Sequence, residues 1–243
     1  MKLSIIIFFI VIFFSFLKLE GKNQLPYGVK FDYLKTDDET NITNLTNEPF
    51  CCPIKMLGNG ESYSLGLSYS FIDIIGIENL IFSINGNVNY YKSFIYFDEK
   101  EAINVNGEAF NGTIRHSVDF SSFSIKPELS IKYSYSSIFM KYNFGLDLFL
   151  NNEFTQKEAI IFPVDRGVFE DTQTRTRNVV DSKIENLSIP ISNSFIFGIE
   201  FEYKSKVKIS TGIIIGVRNS ISSYFDWRNR FYGLNIGIDF LGK

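Results

Sequence analysis

The chain repeats one pattern: segments of about ten residues in which apolar and polar side chains alternate, separated by stretches rich in Asn, Ser, Gly and Asp. Alternation at period two puts successive side chains on opposite faces of a strand, and at this length it matches a transmembrane strand. Eight such segments are read. The first sets Tyr27, Val29, Phe31 and Tyr33 against Gly28, Lys30 and Asp32. The second sets Tyr63, Leu65, Leu67 and Tyr69 against Ser64, Gly66, Ser68 and Ser70. The third opposes Leu80, Phe82, Ile84, Val88 and Tyr90 to Ser83, Asn85, Asn87 and Asn89. The fourth opposes Phe123, Ile125, Leu129, Ile131 and Tyr133 to Ser124, Lys126, Glu128, Ser130 and Lys132. Its pattern slips near Ser121 and Ser122, where a bulge is expected.

The fifth sets Met140, Tyr142, Phe144, Leu146 and Leu148 against Lys141, Asn143, Gly145 and Asp147. The sixth sets Phe195, Phe197, Ile199, Phe201 and Tyr203 against Gly198, Glu200 and Glu202. The seventh sets Val207, Ile209, Ile213, Ile215 and Val217 against Lys208, Ser210, Gly212, Gly216 and Arg218. The eighth sets Tyr232, Leu234, Ile236, Ile238 and Phe240 against Gly233, Asn235, Gly237 and Asp239.

Short connections are expected around 74–79, 136–137 and 204–206, and long ones near 36–61, 91–117, 151–193 and 218–230. Strict alternation of long and short is the pattern of an up-and-down barrel, with long extracellular loops and short periplasmic turns. The predicted fold is all-β: an eight-stranded antiparallel up-and-down transmembrane β-barrel. It sits in a bacterial outer membrane with both chain ends periplasmic.

The N-terminus adds an export signal. Lys2 precedes an almost unbroken apolar run over 3–17, which Lys18, Glu20 and Lys22 end. Such a run suits a signal-peptide core and is short for a spanning helix, which needs about 20 residues. Residues 1–21 are therefore read as a signal peptide and 22–243 as the barrel domain. No A-x-A motif marks the cleavage, which is placed near Gly21. An uncleaved anchor is the alternative.

Composition sharpens the picture. Aromatic residues are abundant, with 26 Phe and 13 Tyr. A barrel in lipid turns such rings outward and gathers them at both interfaces. A soluble lipocalin-like barrel or sandwich would show the same alternation with the apolar face inside. Two features favour lipid outside. The Tyr residues fall near segment ends, and the polar face mixes both charge signs. A formal charge of −3 gives no electrostatic footprint for nucleic acid. One His and two Cys are too few for a His/Cys zinc cage within one chain. No cofactor is expected.

The strand pattern and the near-terminal segment GLNIGIDF resemble the eight-stranded outer-membrane barrels of the OmpA and PorT-like type. The opening YGVKFDY, the Cys51-Cys52-Pro53 loop and the late segment 176–186 look like such proteins of Bacteroidota- and Chlorobi-type bacteria. The resemblance implies outer-membrane lipid and the barrel-assembly machinery as partners, and a surface ligand it does not name. Such barrels usually end on an aromatic residue, whereas this chain continues past Phe240 to Lys243.

Few residues suggest chemistry. Cys51 and Cys52 are a candidate loop disulfide. A bridge between neighbours is strained, because adjacent Cα atoms lie about 3.8 Å apart and ordinary disulfides want at least ~4.4 Å. His116 and Ser117, with Asp119 nearby, invite comparison with lipid-modifying barrel enzymes. Consecutive strand residues face opposite ways, so His116 cannot serve Ser117 as a base. No catalytic or metal residue is assigned. The long loop carrying Asp165, Arg166, Glu170, Asp171, Arg175, Arg177 and Asp181 has mixed charge and identifies no ligand.

The inward charges Lys126, Glu128, Lys132, Lys141, Asp147, Glu200, Glu202 and Lys208 are read as a plug of ion pairs. Eight strands enclose a bore just wide enough for side chains to fill. The function expected is a non-enzymatic barrel with a structural or surface-interaction role. A narrow channel or small-ligand transporter is the alternative, and a lipid-modifying enzyme comes third.

Overall fold

The structure is a computed structural model. It describes residues 27–42, 54–72, 79–105, 108–163, 167–169, 172–179, 191–204, 207–221 and 225–240. The signal peptide read over 1–21 and the Cys51–Cys52 pair lie outside the described residues.

All regular structure among the described residues is β. The strands are β1 (Tyr27–Ile42), β2 (Ile54–Ile72), β3 (Leu80–Val105), β4 (Glu108–Tyr135), β5 (Ile138–Leu146), β6 (Leu148–Phe162), β7 (Thr176–Asn178), β8 (Ile191–Lys204), β9 (Val207–Ile221) and β10 (Phe225–Phe240). Hydrogen-bonded neighbours run β3-β2-β1-β10-β9-β8-β5-β4, and β3 also pairs with β4, so the sheet closes on itself. β5 and β6 form one stave interrupted at Asp147. β5 pairs with the C-terminal part of β4 and β6 with the N-terminal part. The short β7 lies on β6. Closure leaves eight antiparallel staves, each beside its neighbours in sequence, which is the up-and-down barrel. Tyr27 pairs with Phe240, so the first and last strands begin and end at the same rim.

The walls of so narrow a barrel approach closely. A Cβ at Gly58 would sit 1.9 Å from the carbonyl oxygen of Phe94, and one at Gly233 would sit 1.9 Å from that of Tyr33. Only glycine fits where backbones come this near.

Register decides what faces lipid. Tyr33, Tyr63, Tyr90 and Phe123 are successive cross-strand partners, so they stand side by side. The rings of Tyr33, Tyr63 and Tyr90 form one outer belt, with centroids 5.1 and 6.4 Å apart. Tyr27 and Tyr69, 5.1 Å apart, belong to a second belt at the opposite rim, where Tyr135 and Tyr203 are also exposed. Between the belts the outward side chains are apolar, including Phe31, Leu65, Leu67, Val88, Leu129, Phe144, Ile213 and Leu234. Their inward neighbours Ser62, Ser68, Asn85, Lys126, Glu128, Ser130 and Asn143 are buried. A soluble barrel is the reverse. Apolar exterior, polar interior and two aromatic belts are the anatomy of a transmembrane barrel.

Beyond the Tyr33–Tyr63–Tyr90 belt the polarity inverts. On β4 the outward residues change from Phe123 to Ser121, Asp119 and Arg115, while the inward ones become Phe120, Val118 and Ile114. Alternation continues; only its meaning changes. This corrects the expected long loops near 36–61, 91–117, 151–193 and 218–230, most of which is strand. The barrel wall extends past the lipid band, and the described connections between strands are shorter. The sequence hid this because several extended segments are polar on both faces, as where Lys35, Asp37 and Glu39 alternate with Thr36, Asp38 and Thr40.

The bulge expected at Ser121 and Ser122 is also corrected. β4 keeps its phase there, and the extra residue lies on its partner. Phe123 pairs with Asn151 and Ser124 with Phe149, so Leu150 is the bulged residue. The adjacent Asp147 interrupts the same stave.

The faces can be tested directly. Ile213 is 64% exposed in the apolar band. Arg at Ile213 or Leu146 is expected to cost ~2–4 kcal/mol in equilibrium unfolding from bilayers, if near the midplane. Ser64→Asn, on the inward face, should change stability by less than about 1 kcal/mol. Equal tolerance on the two faces would contradict the assignment of lipid to the outside. Ser130 is a poorer control than its sequence suggests, because it is buried between the Asn85 amide and Glu128.

Candidate functional site: a charged lumen beneath an aromatic plug

β4 directs Lys126, Glu128 and Lys132 inward, β5 adds Lys141, β8 adds Glu200, and β9 adds Lys208. They sit around a cavity of about 90 Å³. Lys126 Nζ lies 3.0 Å from Glu128 Oε2, and Lys141 Nζ lies 3.9 Å from Glu128 Oε1. Lys132 pairs with Glu200 and sits 4.5 Å over the Phe139 ring. Lys208 pairs with Glu202, which is exposed at the rim rather than enclosed. Asp147 is separate from this group, because it lines a second cavity of about 60 Å³.

Four further charged residues enter the first cavity: Lys30, Asp32, Arg218 and Asp239. Their sequence signal is the same alternation on β1, β9 and β10. Asn89 and Arg218 line both cavities, so Arg218 stands at the passage between them.

Above the second cavity the bore fills with apolar side chains. Met56, Ile95, Val118, Phe120 and Trp227 form one buried cluster, with Tyr91 and Phe154 packed against it. Met56, Ile95 and Val118 have no exposed surface. Trp227 meets Tyr91 edge-on at 5.9 Å and Phe120 at 5.3 Å, and Phe120 stacks on Phe154 at 4.6 Å. A polar knot lies beside the plug. Asp38 accepts hydrogen bonds from Ser93 and Asn229, and the Asn229 amide also reaches the Tyr91 hydroxyl at 3.1 Å. Buried polar groups held this way rigidify a core.

His116 lies farther out. It is buried and stacks on Phe97 at 4.6 Å. Each ring nitrogen is 3.2 Å from a carboxylate oxygen, Nε2 from Glu99 and Nδ1 from Glu158. The contacts lack good hydrogen-bond alignment, so their attraction is chiefly ionic. His116, and then Arg177 at 2.7 Å, hold the Glu158 carboxyl below its usual range. Arg177 also sits 4.3 Å over Phe169, so this cluster ties β7 and its flanks to β6. Ser117 faces the other way, 3.3 Å from the Lys157 carbonyl oxygen. The two residues are not brought together.

Outside the extension, Leu57 and Phe94 are exposed and Tyr96 lies beside them, 6.0 Å from Phe94 between ring centroids. Arg115 covers Tyr96 at 4.2 Å. Asp98 accepts from Arg115 Nε at 2.7 Å, which holds the Asp98 carboxyl below its usual range.

No family model and no curated protein matches the sequence. Among solved structures the chain is similar to Neisserial surface protein A, at a TM-score of 0.36 and 12% identity, over 89% of this chain and 97% of that one. It is similar to the attachment invasion locus protein Ail of Yersinia pestis bound to the heparin analogue sucrose octasulfate, at a TM-score of 0.32 and 11% identity, over 88% and 99%. It is also similar to the outer membrane protease OmpT of Escherichia coli, at a TM-score of 0.33 and 8% identity, over 90% and 98%. Scores at this level say nothing about activity.

Proposed function

We propose that the protein is a non-enzymatic barrel of the bacterial outer membrane, with a lumen closed by its own side chains and a wall that projects outside the cell. The inversion of polarity along the staves carries this reading. One part of each stave suits lipid around a polar interior. The rest suits water around an apolar interior, as a soluble domain does. The plug of Met56, Ile95, Val118, Phe120 and Trp227 closes the bore where the two parts meet. The projecting wall, with the Leu57–Phe94–Tyr96 patch, is the surface offered to partners. Both chain ends lie in the periplasm, and assembly uses the barrel-insertion machinery through outer-membrane lipid. His116 and Ser117 on opposite faces give no support to a nucleophile–base pair.

Purified protein in a planar bilayer should show no stable conductance. Cysteine placed at Asp226 should react on whole cells with a membrane-impermeant reagent, whereas Lys204→Cys should react only after the membrane is broken. Labelling of Lys204→Cys on intact cells would reverse the orientation. Steady ion current through the wild-type barrel would replace the closed reading with that of a narrow channel. The channel reading draws support from the two polar cavities that meet at Asn89 and Arg218.

A further inference from the structure

We propose that the lower lumen binds a small oxyanion of the phosphate or sulfate class, held between Lys30, Lys141 and Arg218. The cavity is lined by six cationic side chains: Lys30, Lys126, Lys132, Lys141, Lys208 and Arg218. Only four carboxylates line it: Asp32, Glu128, Glu200 and Asp239. Most of these are engaged elsewhere. Glu200 holds Lys132, and Glu128 holds Lys126 at 3.0 Å. Asp32 accepts the Asn235 amide. Asp239 Oδ1 is turned against Gly28, 2.2 Å from where a Cβ would stand. Lys208 pairs with Glu202 at the rim.

Three cations remain under-compensated. Among the described residues Lys30 and Arg218 have no carboxylate within ion-pair distance, and Lys141 shares Glu128 at 3.9 Å. Among the charges acting on Lys30, the strongest is that of another cation, Lys141. Arg218 Nε is buried without a hydrogen-bond partner, and its guanidinium has a ring contact with Phe231 at 5.6 Å. Enclosed cations without counter-charges are costly, and an anion that accepts from them removes that cost. A guanidinium fork matches the geometry of a tetrahedral oxyanion, and ammonium groups complete the shell as point charges. The cavity of about 90 Å³ has room for such an ion. One water needs only about 10–15 Å³ by this measure. The site does not depend on whether the lumen conducts.

The test is equilibrium binding to the full chain in detergent micelles, at constant ionic strength set with chloride. The probes are inorganic phosphate, sulfate and glycerol phosphate, the soluble part of a phospholipid headgroup. Saturable one-to-one binding of phosphate or sulfate is expected, with affinity falling about tenfold in Arg218→Met and again in Lys30→Met. Both variants replace an enclosed charge with an apolar chain, so folding should survive. Tighter binding of glycerol phosphate would assign the same site to a lipid headgroup; tighter binding of inorganic phosphate would assign it to the free ion. Wild-type protein that binds none of the three above the chloride background overturns the proposal. So does phosphate affinity unchanged in both variants.

Discussion

Glu128→Ala is expected to destabilise the barrel by ~3–5 kcal/mol, the cost of removing one partner from a buried ion pair. Glu128 is only 7% exposed and is the counter-charge shared by Lys126 and Lys141. Its loss would leave Lys126, itself 4% exposed, among cations. The lumen has no spare carboxylate to take over, because Glu200 is committed to Lys132 and Asp32 to Asn235. Glu200→Ala should cost less than Glu128→Ala. It strands Lys132 alone, and that ammonium keeps its contact with the Phe139 ring. Equilibrium unfolding in lipid, followed by the gel-mobility change of folded barrels, gives both numbers. Replacing the trio together, as Lys126→Met, Glu128→Leu and Lys141→Met, should recover most of the loss, since an apolar filling leaves no charge to solvate. A cost below about 1 kcal/mol for Glu128→Ala would mean that water, not the ion pair, neutralises the lumen.

The strands within lipid were legible because the bilayer makes the two faces of each one chemically opposite. Leu65 and Ser64, or Ile213 and Gly212, leave no doubt about which side is which. The extension was not legible. Lys35 to Thr40 alternates between faces that are both polar, so period two carries no contrast there. The lumen charges on β4 and β5 were found by that same contrast, but their partners were not. Whether Lys132 meets Glu200 or Glu128 depends on barrel closure and stave tilt, which no single strand encodes. The plug was missed for a related reason. Tyr91, Phe120 and Trp227 lie in three segments far apart in sequence, and only closure brings them into contact. The His116 cluster likewise needs β3, β4 and β6 side by side before Glu99 and Glu158 reach the ring.

Trp227→Ala should be the most damaging single change above the lipid band, and it should change what the lumen does as well as how stable it is. Trp227 is 7% exposed and packs against both Tyr91 and Phe120 at the centre of the plug. Truncating a buried Trp to Ala removes apolar contact and leaves a cavity, at a typical cost of ~3–5 kcal/mol. That cavity would open directly above the second polar chamber, which Trp227 helps to line. Water could then extend from Arg218 towards Met56, and the closed bore would begin to leak. Trp227→Phe keeps most of the ring area and should lose about half as much stability, with the bore still shut. The informative measurement pairs unfolding with single-channel recording on the same protein. Wild type and Trp227→Phe should be silent, and Trp227→Ala should show small, flickering conductance. A silent Trp227→Ala that is destabilised as expected would place the seal lower, at the ion pairs around Glu128. A Trp227→Ala barrel as stable as wild type would mean the aromatic cluster does not hold the projecting wall together.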